Sequence, residues 1–308
     1  MRRNFITRTW GLWALLAAMT ACNDDTFGPN GPEGNSGRPI ELSGEIEQVA
    51  ATRVNDNGFC DGDEMGVYIV DYQGDTPGTL QASGNRGNNV KHTFDEAAYK
   101  WNSAYDVYWK DDHTHIDIYG YYPFGSPEDV NAYPFEVQKD QSTTTTANEM
   151  GGYEASDFLW ATQQNATASD TPVSLQFAHR MSRMLIRLVE GEDYEGELPA
   201  DAEVYIHNTV PEATIDLSAG VVTRDDYGTR QSIRAQSLGN HTYAAIIVPQ
   251  RLDNRQPLVE VIMKGVSYLY ESKFVFKPGV QHSVQLVITK NPEQVKIEIG
   301  GELENWDE

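Results

Sequence analysis

The sequence predicts an all-β protein made of two tandem β-sandwich domains. Short runs of alternating polar and apolar residues recur along the chain, and turn-forming residues separate them, which is typical of β-sandwiches. No long segment combines a helical period of apolar residues with helix caps. The composition agrees, because 16 Tyr and 26 Gly favour strands and turns. The length of 308 residues is that of about two domains.

The charge balance limits the classes of partner. The chain has 46 Asp and Glu against 23 Lys and Arg, a formal net charge of −23. Such a protein lacks the basic face that nucleic-acid binding requires, and it is not attracted to anionic lipid. The 39% of apolar residues suffices for folded cores, so the chain is not expected to be an acidic disordered segment.

Residues 1–21 are predicted to be a secretory signal peptide. Three Arg residues among the first eight precede a short apolar run over 10–18, which is too short to span a bilayer as a mature helix. Small residues then precede Cys22, and this arrangement resembles a bacterial lipobox. We therefore predict that Cys22 is lipidated and that this lipid is the only contact with the membrane. The alternative is an ordinary signal peptide with cleavage nearby.

Residues 22–39 are predicted to be a flexible tether that carries the lipid. The segment is rich in Gly, Pro and Asn and has no apolar period. Its acidic triplet 23–25 resembles the surface-export tag of Bacteroidales lipoproteins, although a short acidic linker would look the same. The chain has two cysteines, Cys22 and Cys60. If Cys22 is acylated, Cys60 has no partner for a disulfide. We expect its thiol to pack as a small apolar side chain.

The clearest strand pattern lies at residues 113–122. His113, His115 and Asp117 would share one face, with apolar residues on the other, which predicts a half-buried strand. The same alternation predicts seven further strands, at 173–177, 184–189, 202–207, 243–248, 258–263, 268–276 and 282–289. Residues 141–147 (QSTTTTA) are predicted to be a mobile polar loop. We expect no internal repeat.

Few motifs point to chemistry. The chain has no nucleophile elbow, phosphate loop, dinucleotide glycine pattern or paired-cysteine metal site, so we expect neither an enzyme nor a cofactor. The His113, His115 and Asp117 side chains would converge on zinc from one strand, but a polar strand face is the favoured interpretation. Residues 61–64 (DGDE) depart from the calcium-loop pattern, and an acidic turn is favoured there.

Tryptophan offers one further possibility for binding. Trp101 and Trp109, if exposed, would form an aromatic platform for glycans. The alternative is that these indoles are buried in the sandwich, which is the more frequent case.

Several segments, in order, resemble the fimbrillin family of Bacteroidales, the subunits of type V pili. The resemblance rests on the ordered set and not on any one segment. Its parts are Thr52-Arg53 followed by 59–68 (FCDGDEMGVY), 116–124 (IDIYGYYPF), 156–161 (SDFLWA), 173–187 (VSLQFAHRMSRMLIR), 244–250 (AAIIVPQ), 278–282 (PGVQH) and the C-terminal 299–306.

The resemblance implies a transthyretin-like topology in both sandwiches and assembly by strand exchange. We place the domain boundary near Asp170, between an N-terminal domain at 40–170 and a C-terminal domain at 171–308. In the family, an N-terminal plug strand fills a groove in its own subunit until an Arg-specific protease removes it. A strand from a neighbouring pilus subunit then replaces the plug by β-strand addition.

Both strands have candidates here. The plug candidate lies within 40–53, ahead of the predicted cleavage site at Arg53; Arg38 is a poorer cleavage site, because Pro39 follows it. The apolar plug residues are Ile40, Leu42, Ile46 and Val49. The donor candidate lies within 294–306, where Gly300-Gly301 allows a bend, and its apolar residues are Val295, Ile297, Ile299, Leu303 and Trp306. The alternatives are a surface Arg that is never cut and an ordinary last strand.

The resulting hypothesis is a non-enzymatic structural subunit of a type V pilus, displayed as a lipoprotein on the outer membrane and supporting adhesion. The alternative is a surface adhesin or glycan-binding lipoprotein that does not polymerise, or a tip or anchor subunit, with a host or bacterial surface glycan or protein as its ligand. An enzyme has the least support, because no acid/base pair can be identified from the sequence.

Overall fold

The computed structural model describes residues 37–47, 58–146, 149–291, 296–298 and 304–305. These residues form strands and loops, with one 3₁₀ turn at Glu154–Ser156. The all-β prediction is confirmed. Within these ranges, no helix has the length and hydropathy that crossing a bilayer requires.

The described residues of the N-terminal half supply eight strands. Their bounds are β1 Leu42–Ile46, β2 Glu64–Asp71, β3 Gly87–Asp95, β4 Lys100–Ser103, β5 Ile116–Tyr122, β6 Tyr133–Glu136, β7 Leu159–Ala166 and β8 Val173–His179. Seven of them form one sheet in the order β1-β8-β7-β5-β2-β3-β4. Neighbours in this sheet are antiparallel except β1 and β8, which run parallel.

The C-terminal half supplies the other strands of the described chain. Their bounds are β9 Ser182–Glu190, β10 Glu203–Thr209, β11 Glu212–Asp216, β12 Val221–Arg224, β13 Gln231–Arg234, β14 Gln236–Gly239, β15 Thr242–Ile247, β16 Gln250–Met263, β17 Val266–Phe276, β18 Val280–Ile288, β19 Lys296–Glu298 and β20 Glu304–Asn305. They form a sheet β14-β15-β9-β18-β19, with β20 also on β18, and a sheet β13-β10-β16-β17. A third sheet, β12-β11-β6, takes its last strand from the N-terminal half.

Two apolar clusters hold these sheets together. The first, which we call the N-terminal core, includes Ile40, Phe59, Trp101, Ile118 and Phe177 on one face of the seven-stranded sheet. The second is larger and lies mostly among the C-terminal strands, but it also takes side chains from the other face of β2, β5 and β7. The seven-stranded sheet is therefore covered on both faces.

The prediction of a strand within 113–122 is confirmed, but the prediction that this strand is half-buried is wrong. The strand is β5, and all seven of its residues are buried. Ile116 and Ile118 point into the N-terminal core, whereas Tyr119 and Tyr121 point into the second cluster. Tyrosine can occupy such a position because its ring is apolar and its hydroxyl finds a partner; the Tyr121 hydroxyl donates to Asn89 Oδ1 at 2.7 Å.

The other predicted strands are confirmed, and six of the seven lie within two residues of their observed bounds. The exception is the strand predicted at 258–263, which is observed as β16 and begins eight residues earlier, at Gln250. Residues 141–146 form a loop as predicted, but Gln141 is fully buried, so the loop begins in the interior of the molecule. The predicted domain boundary near Asp170 falls between β7 and β8, which are neighbours in one sheet. As a division of the chain into two domains, this boundary stays a prediction.

Candidate functional site

The candidate site is built around β1, the edge strand that contains part of the predicted plug. β1 pairs in parallel with β8 from Leu42 opposite Val173 to Ile46 opposite Phe177. Two backbone hydrogen bonds extend the ladder, since Val173 N–H donates to the Glu41 carbonyl at 2.8 Å and Glu47 N–H donates to the Phe177 carbonyl at 2.9 Å.

The residues just before β1 are bonded on their opposite side. Ile40 N–H donates to the Val107 carbonyl at 2.7 Å, and Trp109 N–H donates to the Arg38 carbonyl at 3.0 Å. Pro39 and Tyr108 form an antiparallel bridge. The segment 38–47 thus lies between β8 and residues 107–109. We call the surface that receives it the β1 groove, formed by β8, residues 107–109 and the Trp101 ring.

The inward side chains of this segment complete the N-terminal core. Burial alternates along it, as a strand with one buried face requires: Ile40 and Leu42 are 7% and 4% exposed, while Glu41 and Glu45 face solvent. Ile46 packs against the same core from a partly buried position. Burial of a residue such as Leu42 contributes about 1.5–3 kcal/mol, so β1 is held by packing as well as by its ladder.

Gly44 marks the tightest point of the β1 groove. A Cβ atom placed on it would lie 3.0 Å from Trp101 Nε1 and 3.1 Å from Phe177 Cε2. Both rings are buried, and the Trp101 indole N–H donates to the Gly44 carbonyl at 3.3 Å. Gly44 was not among the predicted plug residues. The sequence did contain the signal, because a glycine inside an alternating strand commonly indicates such a close approach.

Ion pairs surround the start of the segment. The Arg38 guanidinium contacts Asp112 and lies 3.3 Å from an Asp170 carboxylate oxygen. Lys100 Nζ lies 3.4 Å from Glu41 Oε1, and both side chains are about half exposed. Solvent screens ion pairs that are this exposed, so these contacts orient the strand more than they hold it.

A cavity of about 500 Å³ opens beyond Ile46. Its lining combines aromatic and apolar side chains such as Phe59 and Met150 with the carboxyl group of Asp63. Burial raises the pKa of Asp63 above its ordinary value, against the effect of hydrogen bonds donated by Cys60 N–H and the Tyr122 hydroxyl.

Cys60 lines the same cavity and corrects a prediction. We expected a packed thiol, but Cys60 is exposed. Cys60 lies directly before the turn at 61–62. Partial burial, and then the nearby Asp63 carboxylate, raise the pKa of its thiol.

Two of the family-like motifs meet beside this cavity. His179, from the segment 173–187, contacts Asp157 of the SDFLWA motif, with 2.8 Å between Nδ1 and Oδ1. Trp160 of the same motif is 9% exposed and donates its indole N–H to the Leu217 carbonyl at 2.8 Å. The contact between His179 and Asp157 therefore ties the end of β8 to the residues before β7, whereas Trp160 joins the N-terminal sheet to the turn after β11. Both contacts are structural.

The described residues form neither the metal site nor the glycan platform that the sequence offered as alternatives. His115 Nδ1 lies 2.5 Å from Asn165 Oδ1, and Asp117 accepts a hydrogen bond from Asn165 N–H. Across the described ranges, no group of three His, Cys, Asp or Glu side chains is placed to hold a metal ion. Trp101 and Trp109 are only 3% and 1% exposed, so an aromatic platform at these two residues is ruled out.

The C-terminal segment lies on its own subunit where it is described. Ile297, within β19, pairs antiparallel with Leu286 of β18, and Asn305, within β20, pairs with Val280 of β18. The segment thus follows an edge of the C-terminal sheet in the single chain. The remaining predicted site residues lie outside the described residues: Cys22, Val49, Arg53, Val295, Ile299, Leu303 and Trp306.

The comparisons with known proteins agree with this fold. A crystal structure of a candidate cell adhesion protein from Bacteroides ovatus is 18% identical, with a TM-score of 0.68 over 87% of this chain and 98% of that chain. A second such structure, from Bacteroides uniformis, is also 18% identical, with a TM-score of 0.61 over 88% of this chain and 99% of that chain. At this identity the likeness concerns the fold alone.

The comparison with family models identifies the family as well as the fold. A search of curated proteins found no match, but the model of the fimbrillin-like family matches residues 52–306. This match spans most of the 308 residues and confirms the resemblance that the sequence motifs indicated. The chain belongs to the fimbrillin-like family.

Proposed function

We propose that the chain is a structural subunit of a type V pilus that assembles by strand exchange and supports adhesion at the cell surface. Cys22 carries the lipid that delivers the precursor to the outer membrane. An Arg-specific protease cleaves after Arg53, and the partners are other pilus subunits. Membership of the fimbrillin-like family supports this role.

The observation that carries the proposal is the place of β1 in the fold. Among the described strands, β1 is an edge strand that pairs with β8 alone. Leu42 on β1 and Ile40 just before it nevertheless complete the N-terminal core. Strand addition needs such an arrangement, in which backbone pairing is combined with pockets for alternate side chains. A sheet edge next to an uncovered core is prone to aggregation, so β1 protects the subunit before assembly.

The position of Arg53 suits removal of β1. Arg53 lies in the chain between β1 and β2, so cleavage there separates β1 from the rest of the subunit, to which only non-covalent contacts then hold it. Cleavage after Arg38 would leave β1 attached. Arg38 is also engaged by Asp112 and Asp170, and Pro39 is bridged to Tyr108, which makes this bond a poor protease substrate.

The test uses the chain without residues 1–22 and a limiting amount of an Arg-specific protease. We expect a new N-terminus at Val54 and a ladder of polymers on an unboiled gel. Arg53→Ala should abolish both, whereas Arg38→Ala, the matched control, should change neither.

Two results would contradict the proposal. Polymers at the wild-type level from the Arg53→Ala chain would exclude cleavage there as the trigger. Cleavage at Arg53 that leaves a stable monomer under all assembly conditions would exclude a polymerising subunit and favour a tip or anchor role.

A further inference from the structure

The C-terminal segment repeats the sequence of the plug. Residues 297–304 read Ile-Glu-Ile-Gly-Gly-Glu-Leu-Glu, and residues 40–47 read Ile-Glu-Leu-Ser-Gly-Glu-Ile-Glu. Five of these eight positions are identical, and two of the other three exchange Leu and Ile. The expectation that the chain has no internal repeat was therefore wrong on this short scale.

We propose that residues 297–304 of a second copy of this chain occupy the β1 groove in the register of residues 40–47, parallel to β8. This inference rests on the proposed function and specifies it. It names the partner as an identical chain, fixes the direction of the incoming strand, and assigns each donor residue to a position. In this register Gly301 lies where Gly44 lies in the single chain.

The apolar positions of the two segments match in this register. Ile297 takes the place of Ile40, which is 7% exposed, and Ile299 takes that of Leu42, which is 4% exposed. Leu303 takes the place of Ile46 beside the cavity. Exchanges between Leu and Ile conserve volume and are tolerated in cores, so the N-terminal core can close around the donor strand.

The Gly44 position excludes a shift of the donor by two residues. Even a Cβ atom there would lie 3.0 Å from the Trp101 ring and 3.1 Å from that of Phe177. A shift by two in one direction would place Leu303 at this position, and a shift in the other direction would place Ile299 there. Neither side chain fits between two buried rings, because well-packed cores resist added volume.

Other alignments fail for a different reason. A shift by one residue turns every side chain to the opposite face of the strand, which would direct Glu298 and Glu302 into the apolar core. A donor strand running in the opposite direction, with Gly301 kept at the glycine position, would place the polar Asn305 where Ile40 is buried. One alignment remains that satisfies both the glycine and the apolar positions.

The outward face matches as well. Lys100 Nζ lies 3.4 Å from Glu41 Oε1, and the repeat places Glu298 at this position. The Trp101 indole N–H donates to the Gly44 carbonyl, and the Gly301 carbonyl of the donor would accept the same hydrogen bond. The polar contacts of β1 would therefore form again after the exchange.

Engineered disulfides test the register directly. Glu45 lies opposite Gln176 on β8, and both residues are exposed, so the proposed register places Glu302 of the neighbouring copy opposite Gln176. The full-length chain would carry Cys60→Ser, Gln176→Cys and Glu302→Cys and be expressed in cells that export and process it. We expect a ladder on boiled, non-reducing gels that disappears on reduction.

The matched control moves the donor cysteine by two residues. Glu304→Cys with Gln176→Cys keeps the same face of the strand but lies nearly 7 Å further along it, beyond the usual reach of a disulfide. We expect the boiled ladder to be lost in this variant, while unboiled polymers remain. A ladder from the Glu304 variant that equals or exceeds that of the Glu302 variant would overturn the proposed register.

A second pair of variants tests the role of the glycine. Gly301→Val should abolish polymers, whereas Gly300→Val, on the outward face, should preserve them. The triple variant Ile299→Leu, Gly300→Ser, Leu303→Ile, which makes the donor octapeptide identical to the plug, should also polymerise. Polymers from Gly301→Val at the wild-type level would refute the register.

Failure of this inference can be distinguished from failure of the proposed function. Unboiled wild-type polymers without the Glu302 cross-link would overturn the register and leave strand exchange intact. A wild-type chain that is cleaved after Arg53 and never polymerises would overturn both.

Discussion

Truncating Leu42 to alanine should destabilise the unprocessed chain by about 2–4 kcal/mol. The side chain is 4% exposed and lies in the N-terminal core. Removal of its three outer carbon atoms loses roughly 0.8 kcal/mol each in transfer free energy, and the cavity left behind adds to this loss. The edge position of β1 permits some relaxation, so we do not expect the largest values known for such truncations.

The assay is equilibrium denaturation of the unprocessed chain, followed by tyrosine and tryptophan fluorescence. Glu45→Ala on the exposed face of β1 is the matched control and should change the free energy of unfolding by less than about 0.5 kcal/mol. After cleavage at Arg53 and polymerisation β1 is gone, so the Leu42→Ala polymer should be as stable as wild type. Equal stabilities of the two unprocessed variants would refute the packing of β1 that supports the proposed site.

Three further predictions concern buried or reactive groups elsewhere. Gln141→Ala should cost about 2–5 kcal/mol of unfolding free energy, because the buried amide accepts from Ile246 N–H and donates to the Ile246 carbonyl, at 2.8 and 2.7 Å. Burial, and then the charge of Lys277, lower the pKa of His282 from 6.5 to about 4. The unfolded chain then binds more protons, so stability should fall as the pH drops from 6.5 towards 4, by at most about 3 kcal/mol. Because its thiol pKa is raised, Cys60 should react with iodoacetamide more slowly at pH 8 than in the urea-unfolded chain.

Each of these has its own control. Gln163→Ala removes an exposed amide and should leave stability nearly unchanged, so a similar loss in both variants would contradict the role of Gln141. His282→Gln should flatten the pH dependence between 6.5 and 4, and an unchanged slope would count against His282. The labelling rates of folded and unfolded Cys60 should converge as the pH rises; equal rates at pH 8 would contradict the raised pKa.

The sequence motifs predicted the family, and the reason is visible in the structure. Trp160, Asp157 and His179 occupy positions where hydrogen bonds and packing accept few other residues, so these residues form recognisable segments. Cys60 was mispredicted for the opposite reason. Whether a small residue at the start of a turn is covered depends on distant parts of the chain, which the local pattern does not contain.

The role of Gly44 in the β1 groove could be predicted only in part from the sequence. Gly44 inside an alternating strand, and its counterpart Gly301 in the repeat, are both present in the sequence. Their meaning requires the positions of Trp101 and Phe177, which come from residues far along the chain and contact Gly44 only after folding. The repeat suggests a shared partner surface, and the structure supplies the steric reason for its register.

The sequence by itself determined the all-β class, the positions of most predicted strands, the family and the likeness between residues 40–47 and residues 297–304. These depend on alternation and turn chemistry, which act over a few residues. Only the tertiary structure decided that β1 lies between β8 and residues 107–109, that β5 is buried on both faces and that Trp101 forms part of a groove. Such features depend on which sheet faces meet and which edges remain open, and contacts between residues distant in the chain fix both.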